Sequence, residues 1–175
     1  IFDTLTGLGP DGEIAPQLAT GWRANGDATE WTFTLRPGVR FHDGTPLTAA
    51  AVKFNFDRWT DPDFAASARG DGKQFQVWSD IFGGYRGSGS LVTDVVAGDG
   101  EVTFRLARPA AYFPAFLALP YFGISSPDAV TRALAAPAPT PVVAAPATDG
   151  PDLLALPDER FAWIETVVAR SVRHE

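Results

Sequence analysis

The sequence predicts an α+β domain in which antiparallel hairpins are covered by helices. Two segments alternate apolar and polar residues on either side of a glycine-containing turn, which is the pattern of a half-buried strand pair. Between them lie segments whose apolar residues recur at helical spacing. Hairpins and helices mixed in this way favour an α+β architecture, and 175 residues are enough for one domain with a real core.

The first hairpin is predicted over residues 21–36. Its second strand alternates Trp31, Phe33 and Leu35 with polar residues, so one face is apolar and the other polar. We expect Asn25-Gly26-Asp27 to form the turn, because Asn and Gly both tolerate positive φ.

The second hairpin is predicted over residues 91–106, with Gly98-Asp99-Gly100 as the turn. Val102, Phe104 and Leu106 share one face of its second strand. An antiparallel sheet with one covered face is the natural interpretation.

A helix is predicted from residue 49 to residue 59, with Thr48 as its N-cap. Val52, Phe56 and Trp59 fall on one face of it, at positions i, i+4 and i+7. Two more helices are predicted. One covers residues 74–82, with Phe75, Trp78 and Phe82 on one side, and a shorter one covers residues 112–119, with Pro114 in its first turn.

The composition changes after Val130. Residues 131–156 are rich in Pro and Ala, which favours an extended, semi-rigid linker. Residues 157–175 predict a C-terminal amphipathic helix with an apolar stripe of Phe161, Ile164, Val168 and Val172. This helix is expected to dock on the main domain or on a partner, and self-association through it is one possibility. The predicted organisation is therefore a domain at 1–130, a linker and a terminal helix.

Composition excludes several classes of function. A net charge of −7 argues against nucleic acid as a partner, since phosphate binding needs clustered Lys and Arg. The absence of Cys removes disulfides, thiolate metal sites and Cys nucleophiles. With two His and no Gly-x-Ser-x-Gly pattern, no catalytic residues are predicted, and no metal or cofactor is expected. There is no Met, so Ile1 is not expected to be a translation start, and a signal peptide is expected to have been removed.

Several runs carry a family resemblance in their order and spacing. The strongest is WTFTLRPGVRFHDGTPLTA at residues 31–49, followed by VKFNFDR at residues 52–58. Other runs are IFDTL at 1–5, GEIAPQLATGW at 12–22, AYFPAFL at 111–117 and SSP at 125–127. In these runs the chain resembles the family 5 solute-binding proteins, which include oligopeptide-, dipeptide- and nickel-binding proteins.

The resemblance implies a fold, a function and a location. Residues 1–130 would correspond to part of the first lobe of a type II periplasmic binding protein, chiefly its smaller subdomain. The function implied is that of the substrate-binding component, or a fragment of it, of an ABC importer for peptides or a related small solute. The protein would lie outside the cytoplasm, in the periplasm or lipid-anchored at the cell surface, and would meet a transporter permease. The alternative is an orphan module that acts in protein interaction or sensing without transport.

The resemblance also suggests where a solute would be contacted. Trp78 lies where nickel-binding relatives place a pocket aromatic, and Tyr121 and Phe122 lie near a pocket arginine of those relatives. No Arg stands at either of the last two positions. Trp78, Tyr121 and Phe122 are therefore the candidate ligand-binding residues, with ordinary core packing as the alternative for each.

Two further motifs are interpreted as structural. His42 and Asp43 suit a turn in which side chain–backbone bonds hold the loop, with a metal or catalytic role as the minority interpretation. The Gly-rich run at 83–90 lacks the Gly-Lys-Ser/Thr ending of a phosphate-binding loop, and we expect it to be a flexible connector into the next strand.

Overall fold

The computed structural model describes residues 3–61, 63–64 and 75–136. These residues lie in the first of the two units into which the chain divides, which ends at Pro137. In chain order the elements are β1 (Thr6–Leu8), β2 (Ile14–Pro16), β3 (Ala19–Ala24), β4 (Glu30–Leu35), α1 (Ala49–Thr60), α2 (Gln76–Phe82), β5 (Val92–Ala97), β6 (Glu101–Leu106), α3 (Phe113–Phe116), a 3-10 turn (Pro120–Phe122) and α4 (Pro127–Ala135).

Both predicted hairpins are confirmed, and they join into one four-stranded antiparallel sheet of order β3-β4-β6-β5. The two hairpins meet where β4 pairs with β6, with Trp31 opposite Phe104 and Phe33 opposite Val102. The apolar residues of the alternating pattern all lie on the buried face, as period two requires. The other face is polar, and Arg23 of β3 forms an ion pair there with Glu101 of β6.

The first turn has a different geometry from the one expected. Positive φ falls on Ala28, at 55°, and not on Asn25 or Gly26. The side-chain oxygen of Asn25 instead accepts hydrogen bonds from the backbone N–H groups of Thr29 and Glu30, each at 2.9 Å. Asn25 therefore holds the loop through its side chain, in the manner of an Asx turn, while Ala28 supplies the left-handed residue.

The predicted start of α1 is confirmed. Thr48 is extended, and its hydroxyl oxygen accepts from the N–H of Ala51 at 3.1 Å. The stripe of Val52, Phe56 and Trp59 is buried, and it places α1 across β5 and β6. The helix runs one residue further than predicted, to Thr60.

The other two predicted helices are present in shorter form. Helix α2 begins at Gln76, and Trp78 and Phe82 are its buried residues. The helix predicted over residues 112–119 is present as α3, Phe113–Phe116, and a 3-10 turn that was not predicted follows it at Pro120–Phe122. Among the described residues no helix is both long enough and apolar enough to span a bilayer.

Two elements were not predicted. One is the ribbon of β1 and β2, which pairs Thr6 with Pro16. The other is α4, which crosses the predicted domain boundary at residue 130 and continues to Ala135. The remainder of the predicted linker and the predicted terminal helix at 157–175 lie outside the described residues.

An aromatic cluster fills the core between the sheet and the helices. The rings of Phe56 and Phe104 lie 4.7 Å apart and link α1 to the sheet. The rings of Trp78 and Phe82 lie 4.3 Å apart within α2. Phe33, Phe113 and Phe122 complete the cluster, and all seven side chains are fully buried. Burial of such large rings supplies much of the hydrophobic stabilisation of a domain of this size.

Candidate functional site

The structure separates the three predicted solute-contacting residues into two groups. Trp78 is 0% exposed and Phe122 is 1% exposed, and their ring centroids lie 5.9 Å apart in the aromatic cluster. Tyr121 is 58% exposed. Successive side chains of a 3-10 turn point about 120° apart, so neighbouring residues of this turn face different surroundings. In this conformation Tyr121 is the member of the set that offers a ring to solvent.

Trp78 is also satisfied as a polar group. Its indole N–H donates to the Ser90 hydroxyl oxygen at 3.3 Å, across the Gly-rich connector. A buried Trp with a partner for its N–H has no unmet need for a ligand. Contact between a solute and Trp78 or Phe122 stays a prediction, and it would require both rings to leave the packing that they have here.

A shallow cleft of about 350 Å³ reaches Pro120, the residue before Tyr121, and we call it the ribbon cleft. It is lined by Pro120 and Ala118 on one side and by the β1–β2 ribbon with Leu8 and Gln17 on the other. The Gln17 side chain accepts from the Thr4 hydroxyl at 2.6 Å and donates to Asp3 at 3.0 Å. No Lys or Arg is among the lining residues, so the polar groups of this cleft are an amide and a hydroxyl.

A second cleft, of about 260 Å³, lies between residues 39–47 and the start of α4, and we call it the α4 cleft. Its apolar wall comes from Val39, Phe41, Leu47 and Ile124. His42, Asp43 and Ser126 contribute polar groups at its edge. Backbone bonds from Phe41 to Thr45 and from Leu47 to Val39 shape the loop that forms this wall.

Asp43 is a turn residue, as predicted, and it also reaches across the fold. One carboxylate oxygen accepts from the Thr45 N–H at 3.1 Å and from the Thr45 hydroxyl at 2.6 Å. The other accepts from the Ser126 hydroxyl at 2.5 Å and from the Arg132 guanidinium at 3.3 Å. The hydrogen bonds from Ser126 and Thr45 lower the pKa of the Asp43 carboxyl from 3.8 to about 2. Ser126 and Asp43 are 83 residues apart in sequence, so the motif at residues 31–49 gave no indication of the contact between them.

The lowered pKa of Asp43 predicts how the contribution of this residue to stability depends on pH. Because the folded state holds the ionised form, the contribution is complete above the unfolded pKa of 3.8 and is lost as the pH falls toward about 2. We expect the difference in unfolding free energy between wild type and Asp43→Asn to be constant above about pH 5 and to shrink between about pH 4 and 2. Urea titrations of both proteins across this range measure it, and an unchanged difference at pH 2.5 would contradict the assignment.

Asn55 is a buried polar residue that the sequence interpretation missed. It is fully buried in the middle of α1, between Val52 and Phe56. Its amide group donates to the carbonyls of Ala51, at 2.9 Å, and Ser125, at 2.7 Å. Its oxygen accepts from the N–H of Ser125 at 3.1 Å. The available signal was an Asn at a position where the helical stripe calls for an apolar side chain, which indicates a buried partner.

The Gly-rich run is a connector, as expected. The N–H of Arg86 donates to Thr60 at the end of α1, at 2.7 Å, and its guanidinium pairs with Asp57 at 2.6 Å. Lys53 pairs with the same carboxylate at 2.9 Å. The connector is therefore fixed to α1 by a backbone hydrogen bond and by the ion pair between Arg86 and Asp57. In the described part of the chain, no group of three or more His, Cys, Asp or Glu side chains is placed to hold a metal ion.

Curated relatives match parts of the chain. The glutathione-binding protein GsiB of Salmonella typhi is 32% identical over 131 residues, which is 75% of this chain and 22% of that protein. The probable D,D-dipeptide-binding periplasmic protein DdpA of Escherichia coli K12 is 50% identical over 46 residues, which is 26% of this chain and 9% of that protein. The chain therefore spans less than a quarter of the length of these relatives.

Solved structures match the described fold. The periplasmic binding protein DppA from Helicobacter pylori, in complex with the peptide STSA, aligns with a TM-score of 0.64 and 28% identity. A dipeptide-binding protein from Pseudoalteromonas, in complex with Met-Leu, aligns with a TM-score of 0.66 and 25% identity. In each case the alignment covers 77% of this chain and 27% of the other. The predicted α+β fold class is confirmed, as part of a type II periplasmic binding protein.

The family itself is decided by a match over most of the chain. The model of the bacterial extracellular solute-binding proteins, family 5 Middle, covers residues 13–151. This range contains the motif at residues 31–49, both hairpins of the sheet and the described helices α1 to α4. The chain belongs to the family 5 bacterial extracellular solute-binding proteins.

Proposed function

We propose that the chain supplies part of the first lobe of the substrate-binding component of an ABC importer for peptides or a related small solute. The observation that carries the proposal is the family match over residues 13–151. The alignment of the sheet and helices with two peptide-bound binding proteins supports it. The solute would lie between this part and a second lobe, which closes by a hinge motion.

The class of solute follows from what the relatives bind. The names of GsiB and DdpA specify glutathione and a D,D-dipeptide, and a third relative, 42% identical over 62 residues, is the periplasmic murein peptide-binding protein MppA of Escherichia coli K12. These solutes share peptide bonds and small size, so a short peptide is the proposed solute class. Two of these relatives are named as periplasmic, which supports a location outside the cytoplasm, in the periplasm or at the cell surface, and a permease as the partner.

The function is tested by calorimetry on the protein produced from its natural reading frame. Glutathione, the dipeptide Ala-Ala and nickel–histidine are titrated separately, and binding of either peptide with micromolar or tighter affinity is the expected result. Failure of all three, combined with concentration-dependent self-association in analytical ultracentrifugation, would overturn the importer proposal in favour of an interaction module.

Tyr121 is the residue that we propose for solute contact within the described part. Its ring is exposed, and the residue before it, Pro120, lines the ribbon cleft, whose polar side chains are an amide and a hydroxyl rather than a charge. Aromatic rings contribute to binding by covering apolar and peptide surface of a ligand, with little loss of side-chain entropy. Trp78 and Phe122 would support Tyr121 from beneath through the packing of the 3-10 turn.

We expect Tyr121→Ala to weaken peptide binding about tenfold, corresponding to about 1.4 kcal/mol, and to leave stability within about 0.5 kcal/mol. The control is Tyr112→Ala, which removes a ring of similar exposure, 52%, on α3. Calorimetry with the tightest-binding peptide measures both variants. Equal affinities for wild type and Tyr121→Ala would remove Tyr121 from the proposed site.

A further inference from the structure

Helix α4 is attached to the fold in an unusual way. None of its nine residues is buried, whereas α1 buries eight of its twelve. Short helices in proteins are normally held by the packing of an apolar face. Since α4 lies against α1 without burying any residue fully, its polar contacts at Ser126 and Arg132 contribute much of what fixes its position.

The segment that leads into α4, residues 124–125, is fixed on one side by Asn55. The Asn55 side chain hydrogen-bonds both the N–H and the carbonyl of Ser125, as a neighbouring strand would. The N–H of Ile124 donates to the carbonyl of Asp3 at 2.9 Å. These bonds involve backbone groups and the buried Asn55 amide, whose oxygen also accepts from the Arg58 guanidinium at 3.3 Å, so they hold residues 124–125 without Asp43. We call residues 124–125 the hinge segment.

Asp43 holds α4 itself. Ser126 is the N-cap of α4, where its hydroxyl oxygen accepts from Ala129 at 3.2 Å and its hydroxyl hydrogen goes to Asp43. Arg132, one and a half turns further along, reaches the same carboxylate oxygen. A single carboxylate therefore contacts α4 at two points. Its side chain is only 16% exposed, which strengthens charge-assisted hydrogen bonds relative to those at an open surface.

We propose that α4 is a hinged helix, held against the α4 cleft by the Asp43 carboxylate and free to turn about the hinge segment when that carboxylate no longer binds it. Asn55 and Asp43 then have different roles. Asn55 fixes the position of the hinge, and Asp43 fixes the direction of the helix.

Hydrogen exchange tests whether the Asp43 carboxylate holds α4 in place. In the full chain, Asp43→Asn is expected to speed exchange of the amides of Val130 to Ala135 about tenfold to a hundredfold, because charge-assisted hydrogen bonds to two points of the helix are lost. Amides of the sheet and of α1 should speed up only by the factor that corresponds to the loss of global stability seen in the urea titrations, and therefore by less than those of α4. Asp27→Asn is the matched control, since Asp27 also bonds the N–H and hydroxyl of the Thr two residues on, at 3.4 and 2.7 Å, in a turn far from α4.

A milder variant and a distance measurement add two independent checks of the proposal. Arg132→Gln removes one of the two contacts and should raise α4 exchange by a smaller factor without disturbing the loop of Asp43. The chain has no Cys, so spin labels at Leu134→Cys on α4 and Val96→Cys on β5, both exposed positions, report directly on movement. We expect one narrow distance in the otherwise unchanged protein and a broad distribution with Asp43→Asn. Any of three results for Asp43→Asn would overturn the proposal. In hydrogen exchange these are wild-type rates in α4 or an equal increase in rate throughout the domain, and in the spin-label measurement it is an unaltered distance distribution.

Discussion

Trp78→Ala is expected to lower the free energy of unfolding by about 3–5 kcal/mol, the range found when a large core aromatic is truncated. The ring centroid of Trp78 lies within 6.0 Å of the ring centroids of Phe56, Phe82 and Phe122, which belong to three different elements. Its removal leaves a cavity where α1, α2 and the 3-10 turn meet, and rigid neighbouring rings fill such a space poorly. The Ser90 hydroxyl also loses its donor. A loss of this size is a large fraction of the stability of a typical domain.

Urea unfolding followed by far-ultraviolet circular dichroism measures this effect. Trp78→Phe is the conservative comparison, which keeps a ring in the cluster but not the N–H, and it should cost about 1–2 kcal/mol. The decisive contrast is with Tyr121→Ala, which is expected to change affinity and not stability. If Trp78→Ala lost solute affinity while its unfolding midpoint stayed at the wild-type value, Trp78 would be a contact residue and its assignment to the core would be wrong.

The parts of the fold that the sequence predicted are those where one periodicity dominates. Trp31, Phe33 and Leu35 alternate with polar residues, and a strand is the conformation that places all three on one buried face. Thr48 before Val52 and Phe56 marks a helix start for the same reason, since the cap and the stripe agree. Where local propensity and burial favour the same element, the periodicity of apolar residues is sufficient to predict that element.

The parts that were missed depend on partners distant in sequence. Strands β1 and β2 are three residues each, too short to show alternation, and they exist because Thr6 pairs with Pro16. The second half of helix α4 lies in a segment whose Ala and Pro content suggested a linker, and Ser126 caps the helix with the help of Asp43. No local pattern encodes a contact that spans 83 residues.

The exposure of the candidate site residues could not be predicted, for a related reason. A resemblance placed both Tyr121 and Phe122 near a pocket arginine of relatives, but the 3-10 turn sends one to the surface and the other to the core. Which of two adjacent aromatics is exposed depends on the packing of the turn against Trp78, and this information is absent from a motif. The exposed residue is therefore the informative one for binding.

Gly84→Ala is expected to lower the free energy of unfolding by about 3 kcal/mol or more, through strain and overpacking together. Gly84 has φ of 146°, a conformation that residues with a Cβ rarely adopt, and an added Cβ would overlap the carbonyl oxygen of Ser88. That carbonyl is backbone, so it cannot move aside as a flexible side chain would. Any shift of the connector also disturbs Ser90, which holds the Trp78 N–H, and Leu91, whose N–H donates to Phe82 at 2.6 Å.

Gly87→Ala in the same connector separates the effect of backbone strain from that of overpacking. Gly87 has φ of 80°, but nothing lies within 4 Å of an added Cβ, so backbone strain alone should cost about 1–2 kcal/mol. Urea unfolding of both variants gives the difference directly, and a larger loss for Gly84→Ala is the expected result. Equal losses would show that the connector accommodates a side chain at residue 84 by moving. In that case the loop would not be rigidly coupled to the aromatic cluster, and its charge contacts with α1 would be what fixes it.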